Sequence, residues 1–185
     1  MSDSGKQIII VINILKTSEF QMKTILNWKR GLLKNIYEIF SDSGPVGYLK
    51  EKSWTQSSYG ELNGEKFYFR MKGVFNKEAI VFNSESNTPI GKISYNSWMT
   101  KSKIEYGNKV YYWKFDNFWN TRWRLYSEEG LEIKYNCSST NGKIEFDSEN
   151  NFLVLAGLYI HNYYWQTTTV TLVIIFLPVW VALFN

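Results

Sequence analysis

The chain has 185 residues, 18% of them aromatic, with a net charge of +4, three prolines and a single cysteine, Cys137. That length allows one ordinary domain with a real core, and many rings with few prolines favour a large β structure. One cysteine excludes an internal disulfide framework and suits a reducing, cytoplasmic setting, while a small charge without a long basic stripe speaks against nucleic acid as a partner.

Residues 1–21 read as an N-terminal extension or a first strand. The apolar run Ile8 to Ile14 is short, interrupted by Asn13, preceded by Asp3 and followed by no small-x-small cleavage site. It is expected as a strand rather than a secretory signal. The whole charge excess lies at this end, where Lys6, Lys16, Lys23, Lys29, Arg30 and Lys34 face only Asp3 and Glu19 up to residue 34. Such cations beside Trp28 suit either anionic lipid headgroups or plain solvation. Lys23, Lys29, Arg30 and Lys34, with Arg122 and Arg124 further along, are the candidate headgroup-binding residues.

From Asn35 to Ser148 the pattern has a period of two. Phe67, Phe69 and Met71 alternate with Tyr68 and Arg70. Trp123 and Leu125 alternate with Arg122, Arg124 and Tyr126, and the same holds at Leu131 to Tyr135 and Lys143 to Asp147. These are half-buried antiparallel strands. Turn residues separate them at Ser43-Gly44, Asn63-Gly64, Asn87-Thr88-Pro89, Tyr106-Gly107-Asn108, Glu129-Gly130 and Asn141-Gly142. Asn-Gly supplies the positive φ angles of tight hairpins. With weaker runs at Ile8 to Ile14, Thr24 to Trp28, Ile36 to Phe40, Val46 to Leu49, Ile80 to Phe82, Ile90 to Tyr95, Ile104 to Tyr106 and Val110 to Phe115, about twelve strands are expected. A sheet that large closes or folds over.

Trp113, Phe115, Phe118, Trp119 and Trp123 form the densest aromatic cluster, with Lys114, Arg122 and Arg124 among them. Barrel core and rim packing is the reading favoured by the alternation; a membrane interface or stacking on bases or sugars is the other. No catalytic residues can be assembled. His161, the one histidine, sits in an apolar segment, Cys137 lacks metal-ligand partners, and there is no phosphate loop. No enzyme activity, metal or cofactor is expected.

After Glu149 no charged residue remains. Phe152 to Trp165 is apolar nearly all round and fits a helix buried on every side, about 21 Å long, which matches the height of a barrel with a central helix. Thr167 to Phe184 adds about 27 Å if helical, near a bilayer's hydrocarbon thickness, and is expected as an extra membrane helix kinked at Pro178.

The meander with turn glycines, the acidic strand end Glu145-Phe146-Asp147, the segment Leu153-Val154-Leu155-Ala156-Gly157-Leu158-Tyr159-Ile160 and the opening Ile36 to Gly47 together resemble the superfamily of tubby C-terminal domains, LURP-one-related proteins and phospholipid scramblases. The resemblance covers roughly Lys23 to Gln166. It implies a closed antiparallel barrel of twelve strands, here residues 22–166, around a hydrophobic helix carrying Leu153, Leu155, Ala156, Gly157, Leu158 and Ile160. The phosphoinositide-contacting residues of tubby domains and the calcium-binding and cysteine-rich segments of scramblases have no match here, so those activities do not carry over. The expected function is a non-enzymatic barrel at the inner face of a membrane that binds phospholipid or a membrane partner. The alternative is a soluble protein-interaction module whose tail packs on its own barrel.

Overall fold

In a computed structural model of the chain, the described residues are 23–31, 35–52, 57–72, 78–147 and 150–184. Among them, twelve strands run in sequence order: β1 (Thr24–Arg30), β2 (Ile36–Ser41), β3 (Gly44–Lys52), β4 (Ser57–Leu62), β5 (Glu65–Met71), β6 (Glu78–Asn83), β7 (Pro89–Tyr95), β8 (Lys101–Tyr106), β9 (Lys109–Phe115), β10 (Arg122–Tyr126), β11 (Glu132–Ser138) and β12 (Asn141–Phe146). Each pairs antiparallel with its neighbour in sequence, and β1 pairs with β12 from Thr24↔Phe146 to Lys29↔Asn141, closing the barrel. Closure leaves no free sheet edge.

Inside runs the first part of one helix, α1 (Asn151–Phe184). Asn150 caps it, its side-chain carbonyl oxygen accepting from the Leu153 N–H at 3.0 Å. Asn151 then ties the helix start to the β4–β5 hairpin. It accepts from Asn63 at 3.0 Å and donates to Glu65 at 2.8 Å. Leu153, Leu155, Ala156, Gly157, Leu158 and Ile160 are all buried inside the barrel. The wall contributes Ile39, Leu49, Phe69, Ile93, Ile104, Trp113, Leu125 and Ile144, each the inward member of an alternating strand.

Helix and wall meet most closely at Gly157. The Tyr135 hydroxyl reaches past it and donates to the Leu153 and Val154 carbonyls, both at 3.2 Å, and the Trp113 indole N–H donates to the Gly157 carbonyl at 3.1 Å. A Cβ at residue 157 would stand 2.2 Å from the Tyr135 hydroxyl oxygen. Only glycine allows this approach.

Several expectations shift. Ile8 to Ile14, counted there as a strand, lies outside the described residues. The twelfth strand is instead β4, which lacks an apolar stripe because its inward positions include Ser58 and Gly60, and a Cβ on Gly60 would come within 3.0 Å of a Leu155 methyl. Asn141-Gly142 is not a turn. Ser139 and Thr140 make the reversal, with Ser139 at φ 61°, and Gly142 lies inside β12, where a Cβ would collide with the Asn136 carbonyl at 1.8 Å. The tail is not a separate helix either. α1 continues through Gln166 and Pro178 without a break, and among the described residues no helix is long and apolar enough to cross a membrane. What changes near residue 165 is burial: Tyr164 is enclosed, and Trp165, Thr168 and Thr169 are exposed.

Gly157→Ala should destabilise the barrel by about 1–3 kcal/mol despite the roughly 1 kcal/mol that Ala gains over Gly in a helix, because the Tyr135 tip is pinned. Urea unfolding should show this, with Tyr135→Leu in the Gly157→Ala background recovering part of the loss. Removal of residues 167–185 should leave the aromatic near-UV signal intact, whereas removal from Phe152 onward should abolish it.

Candidate functional site

Antiparallel order divides the connections between two rims. On the rim where α1 begins, the turns are tight and polar: Asp42-Ser43, Asn63-Gly64, Ser84 to Thr88, Gly107-Asn108 and Glu128 to Gly130, followed by Asp147. These turns carry acids and no Lys or Arg. On the rim where α1 leaves, two fully described connections each present a tryptophan. Trp98, Phe118 and Trp119 are 86, 89 and 79% exposed, far more than a side chain that packs a core.

These rings are held by a built loop rather than a slack one. In Asn96-Ser97-Trp98-Met99-Thr100, the Asn96 carbonyl oxygen accepts from the N–H groups of Thr100 and Lys101 at 2.9 and 3.1 Å, and its amide donates to the Thr100 hydroxyl at 3.0 Å. Asn117-Phe118-Trp119-Asn120-Thr121 repeats the device. Asn117 accepts from Thr121 and Arg122 at 3.0 and 2.9 Å and donates to the Thr121 hydroxyl at 2.7 Å. Met99 and Asn120, the residues after each tryptophan, take φ of 53° and 56°. Side-chain closure of a short loop by Asn mimics a backbone turn, and it fixes both tryptophans pointing away from the barrel.

α1 leaves between these loops. Tyr37 donates to the Asn162 carbonyl oxygen at 3.1 Å, the Tyr164 hydroxyl bonds Ser102 at 2.8 Å, and the Gln166 amide donates to Glu51. Beyond this polar collar, Phe176, Leu177, Trp180 and Val181 are exposed.

Beside the collar lies a cavity of about 510 Å³, bounded by Trp28, Arg30 and Tyr37 of β1 and β2, by Trp119, Cys137 and Thr140, and by His161 and Trp165 of α1. His161 stacks on Trp123 with ring centres 3.8 Å apart and planes 5° apart, and Trp123 stacks in turn on Tyr135. Burial, helped by the nearby Arg30 charge, lowers the His161 pKa to about 3, so the imidazole is neutral. Glu51 moves the other way: burial pushes its carboxyl above the usual range, against the pull of Arg30 and Gln166. The Cys137 thiol is likewise raised by burial.

The six basic residues expected at a headgroup site separate. Lys29 and Arg122 are exposed near the rim where α1 leaves, and Arg30 lines the cavity. Lys23 sits at the opposite rim paired with Glu145 at 2.5 Å, and Arg124 is committed to Asp116 and Glu132 at 2.6 and 2.8 Å. These partners come together only when the neighbouring strands lie side by side. Lys34 lies outside the described residues. The aromatic cluster separates too, with Trp113 and Trp123 buried, Phe115 partly buried, and Phe118 and Trp119 on the outside. Sequence reasoning missed Trp98 and Trp165. The available signal was the repeated spacing Asn-x-Trp-x-Thr at residues 96–100 and 117–121.

No family model matches the chain, and no curated protein matches it. A solved structure of a protein from Arabidopsis thaliana is similar in fold, with a TM-score of 0.51 at 9% identity over 74% of this chain and 88% of that one.

His161 gives the barrel an acid limit. Its folded pKa lies below its unfolded value, so the native state binds fewer protons, and stability is complete above about pH 6.5 and declines as pH falls toward 3. The slope approaches about 1.4 kcal/mol per pH unit. His161→Phe should flatten that part of the curve relative to wild type when unfolding is followed at each pH.

Proposed function

We propose that this chain is a non-enzymatic, tubby-like and scramblase-like barrel that docks end-on on an anionic membrane, with the rim where α1 leaves facing the lipid. The observation that carries the reading is the uncharged helix end, with Phe176, Leu177, Trp180 and Val181 exposed, leaving the barrel beside the outward tryptophans Trp98 and Trp119. Tryptophan rings favour the headgroup level, and an apolar helix end is stabilised by burial below it.

Charge supports the same orientation. Lys29, Arg30, Lys72, Lys101 and Arg122 surround the rim where α1 leaves, whereas the acids there are engaged, Glu78 with Lys92, Asp116 with Arg124 and Glu51 with Gln166. Asp42, Glu85, Glu128, Glu129 and Asp147 occupy the opposite rim. An anionic surface attracts one end of such a molecule and repels the other. The superfamily resemblance and the similar fold of the Arabidopsis protein support the barrel part of this reading.

Full-length protein should float with vesicles containing phosphatidylserine and stay behind with purely zwitterionic ones at moderate salt. Lys29→Gln with Arg122→Gln should weaken that binding about 30-fold, at roughly 1 kcal/mol per cation. Trp98→Ser with Trp119→Ser should weaken binding to any vesicle. Protein that remains unbound with every vesicle composition would overturn the proposal and leave a protein partner for the exposed helix end.

A further inference from the structure

The cavity beside His161 has two properties that packing alone does not explain. The first is a group of buried nitrogens without partners. Among the described residues, Trp28 Nε1, Trp123 Nε1, His161 Nδ1 and Asn162 Nδ2 make no hydrogen bond, although each belongs to a residue at least nine-tenths buried. They form one neighbourhood. Trp28 lies 6.4 Å from Trp123 and 5.3 Å from Tyr37 between ring centres, Trp123 stacks on His161, and Tyr37 bonds Asn162. A buried polar atom without a partner costs about 1–3 kcal/mol, and four of those found among the described residues collect in this one place. Two of these residues, Trp28 and His161, form the cavity wall itself.

The second property is Arg30. Its guanidinium lies over the Tyr37 ring at 5.3 Å, half-buried at the cavity wall, and it forms no ion pair among the described residues. Glu51, the carboxylate whose field it feels, is held by Gln166 and does not line the cavity. From Arg30 outward the wall is aromatic: Trp119 and Trp165 flank the opening and are exposed. The volume, about 510 Å³, falls within the roughly 300–1,000 Å³ of small-molecule sites.

We propose that this cavity binds a small single-chain amphiphile head-first, an anionic carboxylate or phosphate against Arg30 beside Trp28 and His161, with the acyl chain leaving along Trp119 and Trp165. The head supplies a counter-charge to Arg30 and places acceptors next to the neighbourhood of nitrogens that the fold leaves unmatched. The neutral imidazole donates from one nitrogen and carries no charge that would have to be desolvated with the ligand. The chain covers two rings that otherwise face water. Such an amphiphile reaches the site either as a free monomer or from a bilayer, and the site does not depend on membrane docking.

Cys137, the one cysteine, lines the cavity and serves as a built-in reporter. Full-length protein would be treated with N-ethylmaleimide while monomeric laurate, dodecyl phosphate or dodecyltrimethylammonium is titrated in below micelle-forming concentrations, with tryptophan emission as a parallel readout. Laurate and dodecyl phosphate should protect the thiol saturably at one per chain, and the cation should not. Arg30→Gln should weaken protection at least tenfold, and Thr140→Trp, which fills the opening, should abolish saturable binding while both variants keep the wild-type thermal transition. Protection by vesicles containing phosphatidate, but not by monomers, assigns the source to the bilayer. Equal protection by the cationic amphiphile, or laurate binding unchanged in both variants, overturns the proposal. Arg30 also stands among the rim cations, but Thr140→Trp alters none of the residues assigned to membrane docking, so vesicle flotation of that variant keeps the two failures distinguishable.

Discussion

Everything in this molecule follows from the need to fill a closed twelve-strand ring. A ring of this size encloses more space than inward side chains alone can occupy, and α1 supplies the missing volume. The fit is set at a few points where backbone meets side chain directly. Tyr135 passes Gly157 to reach two helix carbonyls, Trp113 bonds a third, and Leu155 comes against Gly60. Because interiors are close-packed, each of these glycines records the position of a partner on the other element. The sheet and the helix therefore specify one another.

The same requirement explains where the candidate site lies. Filling is complete from Phe152 to Ile160, where the helix is apolar on every face. It changes character at His161 to Gln166, where polar side chains replace aliphatic ones and hydrogen bonds to Tyr37, Ser102 and Glu51 take over from packing. The cavity occupies that transition, and the unmatched nitrogens collect there. Chemistry at this rim is thus a product of incomplete filling, while the opposite rim, sealed by the Asn150 cap and the Asn63, Asn151 and Glu65 bridge, offers only short acidic turns.

The fold was largely legible because its signals are local. Alternation at Phe67 to Met71 or Trp123 to Leu125 states both the strand and its inward face, and an uncharged segment after Glu149 states that something must enclose it. Legibility failed where a residue answers to a distant neighbour. Gly60 looks like a loop residue because the helix, not the strand, needs its smallness. Gly142 looks like a turn because the Asn136 carbonyl and the Trp28 indole that forbid a side chain there arrive on β11 and β1. The candidate site was least legible of all. Trp28, Tyr37, Cys137 and His161 share no motif, and they meet only once the ring is shut. The tryptophan loops were half visible, since their Asn-x-Trp-x-Thr spacing is local, but their exposure depends on which rim the topology assigns them.

The pairing of β1 with β12 has a further consequence in time. The first strand cannot find its partner until the last has been made, and the filling of the ring follows β12 in the chain. A ribosome therefore delivers twelve ring-bearing strands before the element that covers their inner faces. Assembly has to wait for α1, and closing the ring needs the long-range pairing of β1 with β12, which forms slowly. Until α1 arrives, the exposed inner rings are a target for aggregation and for chaperones. This architecture makes a barrel that completes itself late, with the helix that follows β12 as the keystone of β1.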